Sequence, residues 1–435
     1  MFIMNIYINP EKNTWQQILQ RPAYDHRQLE AGVQAILDDV QLRGDVAVQQ
    51  YTRQFDGVLL EDMLVSEAEL AAAVAHVDKE LKTAIELAKN NITVFHRSQQ
   101  EAIQQTETTA GVVCWRRSVA IEKAGLYIPG GSAPLFSTLL MLGIPAVLAG
   151  CKDIVVCTPP DKQGNINPVI LYVAQLLGLK KIYKIGGVQA IAAMAFGTAT
   201  VPGVNKIFGP GNQYVTCAKQ LIQATGIAID MPAGPSELAV YADTTCNPAF
   251  VAADLLSQAE HGADSQVILV ANSMAVIEDV NREMEKQVSG LPRKAIAEQA
   301  LQNSVAVLLE NKDEAFDLLN AYAPEHLIIA TDDALADAER VTSAGSVFLG
   351  HYAPESAGDY VSGTNHTLPT NGYAKAYSGV SLDSFVKKIT FQQIDKAGLQ
   401  RIGKAVEVMA AAEGLEAHKH AVTIRLNKIN KDNGI

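Results

Sequence analysis

The sequence predicts an α/β protein with two domains built on parallel sheets, and three observations carry that prediction. From Gly125 onward, short strand-like runs end in glycine or proline turns, and each is followed by a helix-like segment. Strands alternating with helices are the mark of a parallel sheet covered by helices on its faces. This grammar is run through twice, with no crisp sequence repeat between the passes. After about Ser381 the strand signals stop, leaving a tail rich in Ala, Lys and Glu.

Residues 1–24 are polar and irregular and read as an arm. From His26 to Phe55 the apolar residues recur at helical spacing (Leu29, Val33, Ile36, Leu37, Val40), with a break near Gly44. Ser66-Glu-Ala-Glu69 is a capping box that opens a second helix, and a longer helix runs from about Asp78 to Phe95. The first set of strands is Leu126–Ile128, Ile154–Cys157, Ile182–Ile185, Lys206–Phe208 and Ala228–Asp230. The turns after them include Pro129-Gly-Gly131, Gly186-Gly187, Gly209-Pro-Gly211 and Pro232-Ala-Gly234. The second set is Leu238–Tyr241, Gln266–Val270, Val305–Leu309, Leu327–Ile329 and Ser346–Leu349. The tail reads as helices from Phe385 to Leu426; with little core of its own, it is expected to pack on something else, such as another subunit.

The chain has 435 residues, 48% of them hydrophobic and 19% charged, enough for large buried cores. Its formal charge of −12 repels nucleic acid and anionic membranes at long range, and no basic cluster interleaved with aromatics offsets it. Five scattered cysteines without a C-x-x-C fit reduced thiols of a cytoplasmic protein better than a disulfide framework. No signal peptide is legible at the N-terminus. The longest apolar run, Leu139–Ala149, is too short and too interrupted to span a bilayer, which needs roughly 20 residues.

No G-x-G-x-x-G follows a strand and no P-loop is present, so neither standard nucleotide fingerprint applies. The glycine turns still allow backbone N–H groups to approach an anion closely. Tyr127 and Asn212 lie in or just after two of these turns, and Gln189 follows a third. An aromatic and two amides at strand ends suit a nucleotide, but the pattern alone serves ordinary turn packing equally well. Parallel sheets bind ligands beyond the carboxyl ends of their strands, where these turns fall.

Asp254-Leu-Leu-Ser-Gln-Ala-Glu-His-Gly262 reads as a helix end, with Gly262 as a left-handed cap. Gln258 and His261, three apart, then share one face and can supply half of a metal site. A lone Q-x-x-H is more often a solvated pair. Glu325 and His326, in Ala323-Pro-Glu-His326, place a carboxylate beside an imidazole just before a strand; adjacent residues point apart, so they address a ligand from two sides. Pro324 favours an extended or turn conformation before it. Histidine titrates near neutrality and is the usual general base. Asp359 and His366 occupy a polar, glycine-marked loop, Asp359 as a potential carboxylate ligand and His366 more simply as a hydrogen-bonded histidine. In the tail, Glu413 and His418 share no helix face unless the helix breaks at Gly414.

Taken together, these blocks resemble the histidinol dehydrogenase family from about residue 20 to about 427. The resemblance is carried by GLYIPGGSAPLFST from Gly125, GGVQAIAAMAFGT from Gly186, IFGPGN from Ile207, IDMPAGPSE from Ile229 and DLLSQAEHG from Asp254. It continues with APEHL from Ala323, SAGSVFLG from Ser343, PESAGDYVSGTNHTLPT from Pro354 and AHK at Ala417. It implies two incomplete Rossmann-like (aldehyde-dehydrogenase-like) domains in a domain-swapped homodimer. The expected division is 1–24 as arm, 25–124 with 237–380 as the metal and catalytic domain, 125–236 as an inserted NAD-binding domain, and 381–435 as a helical tail reaching the partner.

The resemblance further implies one zinc per subunit, held by Gln258, His261 and Asp359, with His418 donated by the partner subunit. L-histidinol would complete the coordination and touch Ser236, His326 and Glu413. NAD would contact Tyr127, Gln189 and Asn212. Glu325 and His326 would be the acid/base pair in a four-electron oxidation through bound histidinal; the unperturbed histidine pKa of about 6.5 makes such a base competent near pH 7. A cysteine nucleophile (Cys114, Cys151 or Cys157), a zinc hydrolase without NAD, and a silent metabolite-binding protein are the competing readings.

Overall fold

A computed structural model describes residues 4–22, 26–130, 135–232 and 234–432. Gly131 and Ala233, in two of the expected turns, and part of the N-terminal arm fall outside the described residues. The chain forms two compact units, residues 1–99 with 121–385, and residues 100–120 with 386–435.

Two all-parallel sheets organise the larger unit. One has the spatial order Lys181–Lys184, Asp153–Thr158, Lys123–Tyr127, Lys206–Phe208, Ala228–Ile229. In chain order this is 3-2-1-4-5, the doubly wound arrangement that reverses direction after its first strand and opens a crevice there. The other has the order Asn5–Ile8, Val305–Leu308, Gln266–Ala271, Glu237–Ala242, His326–Ala330, Ser346–Leu349. Without Asn5–Ile8 it repeats the same 3-2-1-4-5 order. All ten strands expected from the sequence are present, five in each sheet, so the two passes of the grammar are two copies of one topology.

The central strands are buried along their whole length, as parallel strands covered on both faces must be: Glu237–Ala242 and Gln266–Ala271 have no exposed position. The helices begin where local chemistry dictates. Ser66 and Glu69 form the reciprocal capping box expected of them, Asp78 caps Lys79–Arg97, and Asn247 with Pro248 starts Pro248–Ala259. Gly44, at φ 56°, separates His26–Arg43 from Asp45–Phe55. The apolar run at Leu139–Ala149 lies in the buried helix Phe136–Ala149. Among the described residues no helix is long and apolar enough to cross a membrane.

Three expectations need correction. Residues 5–8, assigned to an arm, are a strand that pairs in register with Val305–Leu308; a four-residue edge strand is too short to show alternation. Residues 25–99 do not build the domain of the second sheet. Val33, Leu37 and Val40 pack with Val188, Ile191 and Ile222, and Ile85 and Ile92 pack with Leu139 and Leu142, all of the first sheet's layers. Periodicity reveals that a helix buries a face but not which sheet receives it. Finally, the tail is not helical from Phe385. Val386–Ile394 is a nine-residue strand, antiparallel to Val112–Ala120, which in turn pairs with Gln105–Thr109. This three-stranded sheet and the helices Lys396–Ala412 and Glu416–Asp432 make the smaller unit. Its strands have partly exposed faces with Lys and Gln on them, so their apolar signal is weak.

Candidate active site

At the carboxyl ends of the five-stranded sheet lies a cavity of about 1370 Å³ lined by Tyr127, Gly187, Gln189 and Asn212 among others. That exceeds the roughly 300–1,000 Å³ usual for a small-molecule pocket and leaves room for an extended ligand. Tyr127 ends the first strand; its buried hydroxyl accepts the Gly187 N–H at 3.1 Å, and burial pushes its pKa up to about 12. Gln189 is fully buried, yet neither amide atom has a partner. A buried amide without partners costs free energy and marks a place where a ligand can supply them. Asn212 caps the helix Gln213–Ile222, its Oδ1 accepting from the N–H groups of Tyr214 and Val215, both at 3.1 Å. That leaves its amide nitrogen with bonding capacity for a ligand.

The turn at Gly209 brings the backbone so close to the first strand that a Cβ would stand 2.1 Å from the Tyr127 carbonyl oxygen, and its φ of 124° suits only glycine. A buried ion pair holds this turn from behind. Lys219 donates to the Gly209 carbonyl at 2.7 Å and pairs with Asp230, whose Oδ2 accepts the Gly209 N–H at 2.8 Å. Lys219→Met strands the Asp230 charge in the interior, and a loss of about 3–5 kcal/mol is expected in denaturant unfolding; unchanged stability would refute this account of the turn.

A second cluster lies at the opposite end of the other sheet. Ser236 directly precedes the first strand, Glu237–Ala242, and His326 is the first residue of the fourth, so both stand at amino ends. The carboxyl-end rule thus fits Tyr127, Gln189 and Asn212 but not Ser236, Glu325 or His326. The helix Pro248–Ala259 runs back from its strand and brings Gln258 and His261 to this same end.

His326 is buried and stands among three carboxylates. Its Nδ1 is 3.4 Å from Glu355 and 3.8 Å from Glu325, and its Nε2 is 3.6 Å from Asp359. Burial alone would lower its pKa, but Glu355, Glu325 and Asp359 outweigh burial and raise it. The expectation of an ordinary histidine pKa is therefore corrected for the metal-free chain, because one motif cannot show what distant carboxylates fold against it. Burial pushes the Glu325 carboxyl up to about 7 and raises that of Glu355. For Asp359 burial acts upward, but its contact with His326 wins and lowers it. Opposed shifts within one cluster are what acid and base roles require.

Gln258 is fully buried with both amide atoms unpartnered. Ligand atoms of His261, Glu355 and Asp359 lie within 4.8 Å of one another, a spacing that can hold a metal ion. His366 is engaged through Nδ1 with the Asp359 carbonyl at 2.9 Å and through Nε2 with Thr138 at 3.1 Å, as a hydrogen-bonded loop histidine.

Two local expectations change. The helix stops at Ala259, so His261 sits in the following turn, held by a 3.2 Å bond from its N–H to the Gln258 carbonyl. Gly262 is not left-handed, since the helix closes through an ordinary right-handed Glu260. Asp359 belongs to a short helix, Glu355–Tyr360, rather than to a loop. Glu355 was not singled out from the sequence, although it stands in the same polar segment; its signal is the spacing of four that places it on one helical turn with Asp359. Glu413 and His418 lie in the smaller unit, exposed, on either side of a helix break at Gly414 with φ 73°.

Burial disfavours two of the three candidate thiols as nucleophiles. Cys157 is fully buried and its pKa is raised by burial, and burial pushes Cys151 up to about 11. Cys114 lies in a strand of the smaller unit.

The family model of histidinol dehydrogenase matches residues 19–426. A histidinol dehydrogenase of Bacteroides thetaiotaomicron is 58% identical over 427 residues, covering 98% of this chain and all of its own. One from Bacteroides fragilis is 57% identical over 428 residues, with the same coverage. The crystal structure of histidinol dehydrogenase from Elizabethkingia anophelis superposes with a TM-score of 0.97 at 57% identity, over 99% of each chain.

Proposed function

Because this chain belongs to the histidinol dehydrogenase family, we propose that it oxidises L-histidinol to L-histidine in the closing steps of histidine biosynthesis. The two oxidations are histidinol + NAD⁺ → histidinal + NADH + H⁺ and histidinal + H₂O + NAD⁺ → histidine + NADH + 2 H⁺. The observation that carries the reading is the buried Glu325–His326 pair set against Asp359 and Glu355. Family membership does not favour a zinc hydrolase working without NAD.

The residues present fit both groups that the reaction needs. Gln258, His261 and Asp359 would hold zinc, which explains the unpartnered amide of Gln258, and His418 of a second copy would complete the set. Tyr127, Gln189 and Asn212 would hold NAD in the large cavity. When bound, zinc orients the substrate by its nitrogens and NAD⁺ takes the hydride in each oxidation.

His326 takes the proton of the substrate hydroxyl in the first oxidation and a proton of the hydrated aldehyde in the second. To do so it must be neutral. A cation held beside Asp359 would oppose the imidazolium charge and would favour the neutral form of His326. Glu325 takes a proton from water as that water adds to histidinal; a carboxyl held near 7 by burial can both accept and return that proton at neutral pH. Ser236 and Glu413 bind the substrate's polar groups.

Exposure of Glu413 and His418 suits a homodimer with shared sites, and unpaired thiols suit the cytoplasm. Incubation with histidinol, NAD⁺ and zinc is expected to yield two NADH per histidine formed. No NADH from correctly folded, zinc-loaded protein would sink the reading.

A further inference from the structure

Behind Glu325 lies a buried polar network that the roles above do not use. Arg21 forks onto the Glu237 carboxylate, with Nε 2.5 Å from Oε1 and an Nη 2.9 Å from Oε2. The same guanidinium donates to the Tyr322 carbonyl at 2.7 Å and lies over the Tyr322 ring, 4.0 Å from its centre. Glu237 is almost wholly buried, its side chain 2% exposed. Its backbone N–H donates to Glu325 Oε2 at 3.0 Å. Arg21 therefore holds both pieces of chain that define the Glu325 carboxylate, the strand start that donates to it and the segment Tyr322-Ala323-Pro324 that leads into it.

The backbone around this network is strained in a telling way. Three residues other than glycine have a left-handed φ among the described residues, and two of them are here: Ala323 at 53° and Asn371 at 54°. Asn371 donates its N–H to Glu237 Oε1 at 2.7 Å. Such conformations are unfavourable for residues other than glycine and persist only where surroundings over-determine them. Gln266 anchors the far side, bonding the Gln20 carbonyl at 3.0 Å and accepting the Tyr322 hydroxyl at 2.8 Å. An arginine from the N-terminal segment is thus tied to a carboxylate 304 positions later through one shared residue, Glu237.

We propose that Arg21 is the positioning residue for Glu325, fixing the Glu237 N–H and the Tyr322–Pro324 segment so that the Glu325 carboxylate is held where it activates water. This rests on the water-activating role given to Glu325. A forked guanidinium is needed, because a lysine keeps the charge but cannot make the two-pronged grip together with the carbonyl bond.

The test separates the two oxidations in the zinc-loaded enzyme. Single-turnover oxidation of histidinol to the first NADH reports the His326 step, and oxidation of supplied histidinal reports the hydration step. Arg21→Met is expected to lower kcat for histidinal about tenfold or more at little-changed KM, while the first turnover moves less than about threefold. Equal losses in both assays, tracking a lowered thermal midpoint, mark a merely structural arginine and overturn the proposal, as does an unaffected histidinal rate. Glu325→Gln is run beside it. If that variant loses histidinal oxidation and Arg21→Met does not, the Arg21 proposal alone fails; if Glu325→Gln spares histidinal oxidation, the role of Glu325 fails and takes the Arg21 proposal with it. Should Arg21→Met not fold, Arg21→Lys is expected to show the same selective loss in smaller degree, and an even loss across both assays refutes the proposal.

Discussion

His326→Asn is expected to lower kcat for histidinol oxidation by about 10²–10⁴, the range that a positioned acid/base group contributes. Asparagine keeps a polar side chain of similar reach but cannot take up a proton. Zinc content measured on the purified variant should stay at the native level, because His326 is near Asp359 without being one of the assigned ligands. A variant that keeps more than a tenth of native kcat would show that the proton leaves by another route. Loss of zinc in step with activity would instead make His326 part of the metal site. The surrounding carboxylates add a qualitative expectation: in metal-stripped protein His326 stays protonated above the ordinary histidine range. A group whose folded pKa is raised stabilises the fold below its unfolded pKa, and that contribution is lost as pH rises through the folded value.

The second large effect concerns the smaller unit. His418→Ala and Gln258→Ala are each expected to be almost inactive alone. Mixed in equal amounts under subunit exchange, random pairing makes half the dimers hybrid, and each hybrid keeps one of two sites intact. Recovery of about a quarter of native activity is therefore expected for a two-fold symmetric dimer with shared sites. No recovery, with exchange demonstrated by differently tagged subunits, would place His418 in the same chain's site or outside any site.

Much of the fold was legible because parallel strands covered on both faces announce themselves as apolar runs closed by glycine turns. All five runs of each pass became strands of one sheet. What stayed hidden was non-local. No local pattern tells that Asn5–Ile8 pairs with Val305–Leu308, or that the helices of residues 26–97 cover the first sheet and not the second. The strand Val386–Ile394 carries Lys387, Lys388, Gln392 and Gln393 on a partly exposed sheet, which masks its alternation.

The site divides the same way. Gln258 with His261, and Glu325 with His326, were visible as local pairs, and the family resemblance joined them to Asp359. For Glu355 the spacing of four to Asp359 is a weak signal in a polar segment, and only the fold sets its carboxylate 3.4 Å from an imidazole. Arg21 was passed over because its partners lie 216 and 301 positions away.

The edge strand Asn5–Ile8 has a consequence for how the molecule is made. The five-stranded sheet can be completed by a continuous stretch from Lys123 to Ile229, as soon as that stretch leaves the ribosome. The six-stranded sheet cannot, because its first-made strand must wait for Val305–Leu308, about three hundred residues later in synthesis. Closing so long a loop is slow although its entropic cost grows only logarithmically with length. Until then Val305–Leu308 presents an open, apolar edge able to pair with another chain. The two sheets share a topology but not a timetable: refolding should show the five-stranded half protected early against hydrogen exchange, with Asn5–Ile8 and Val305–Leu308 protected together and late.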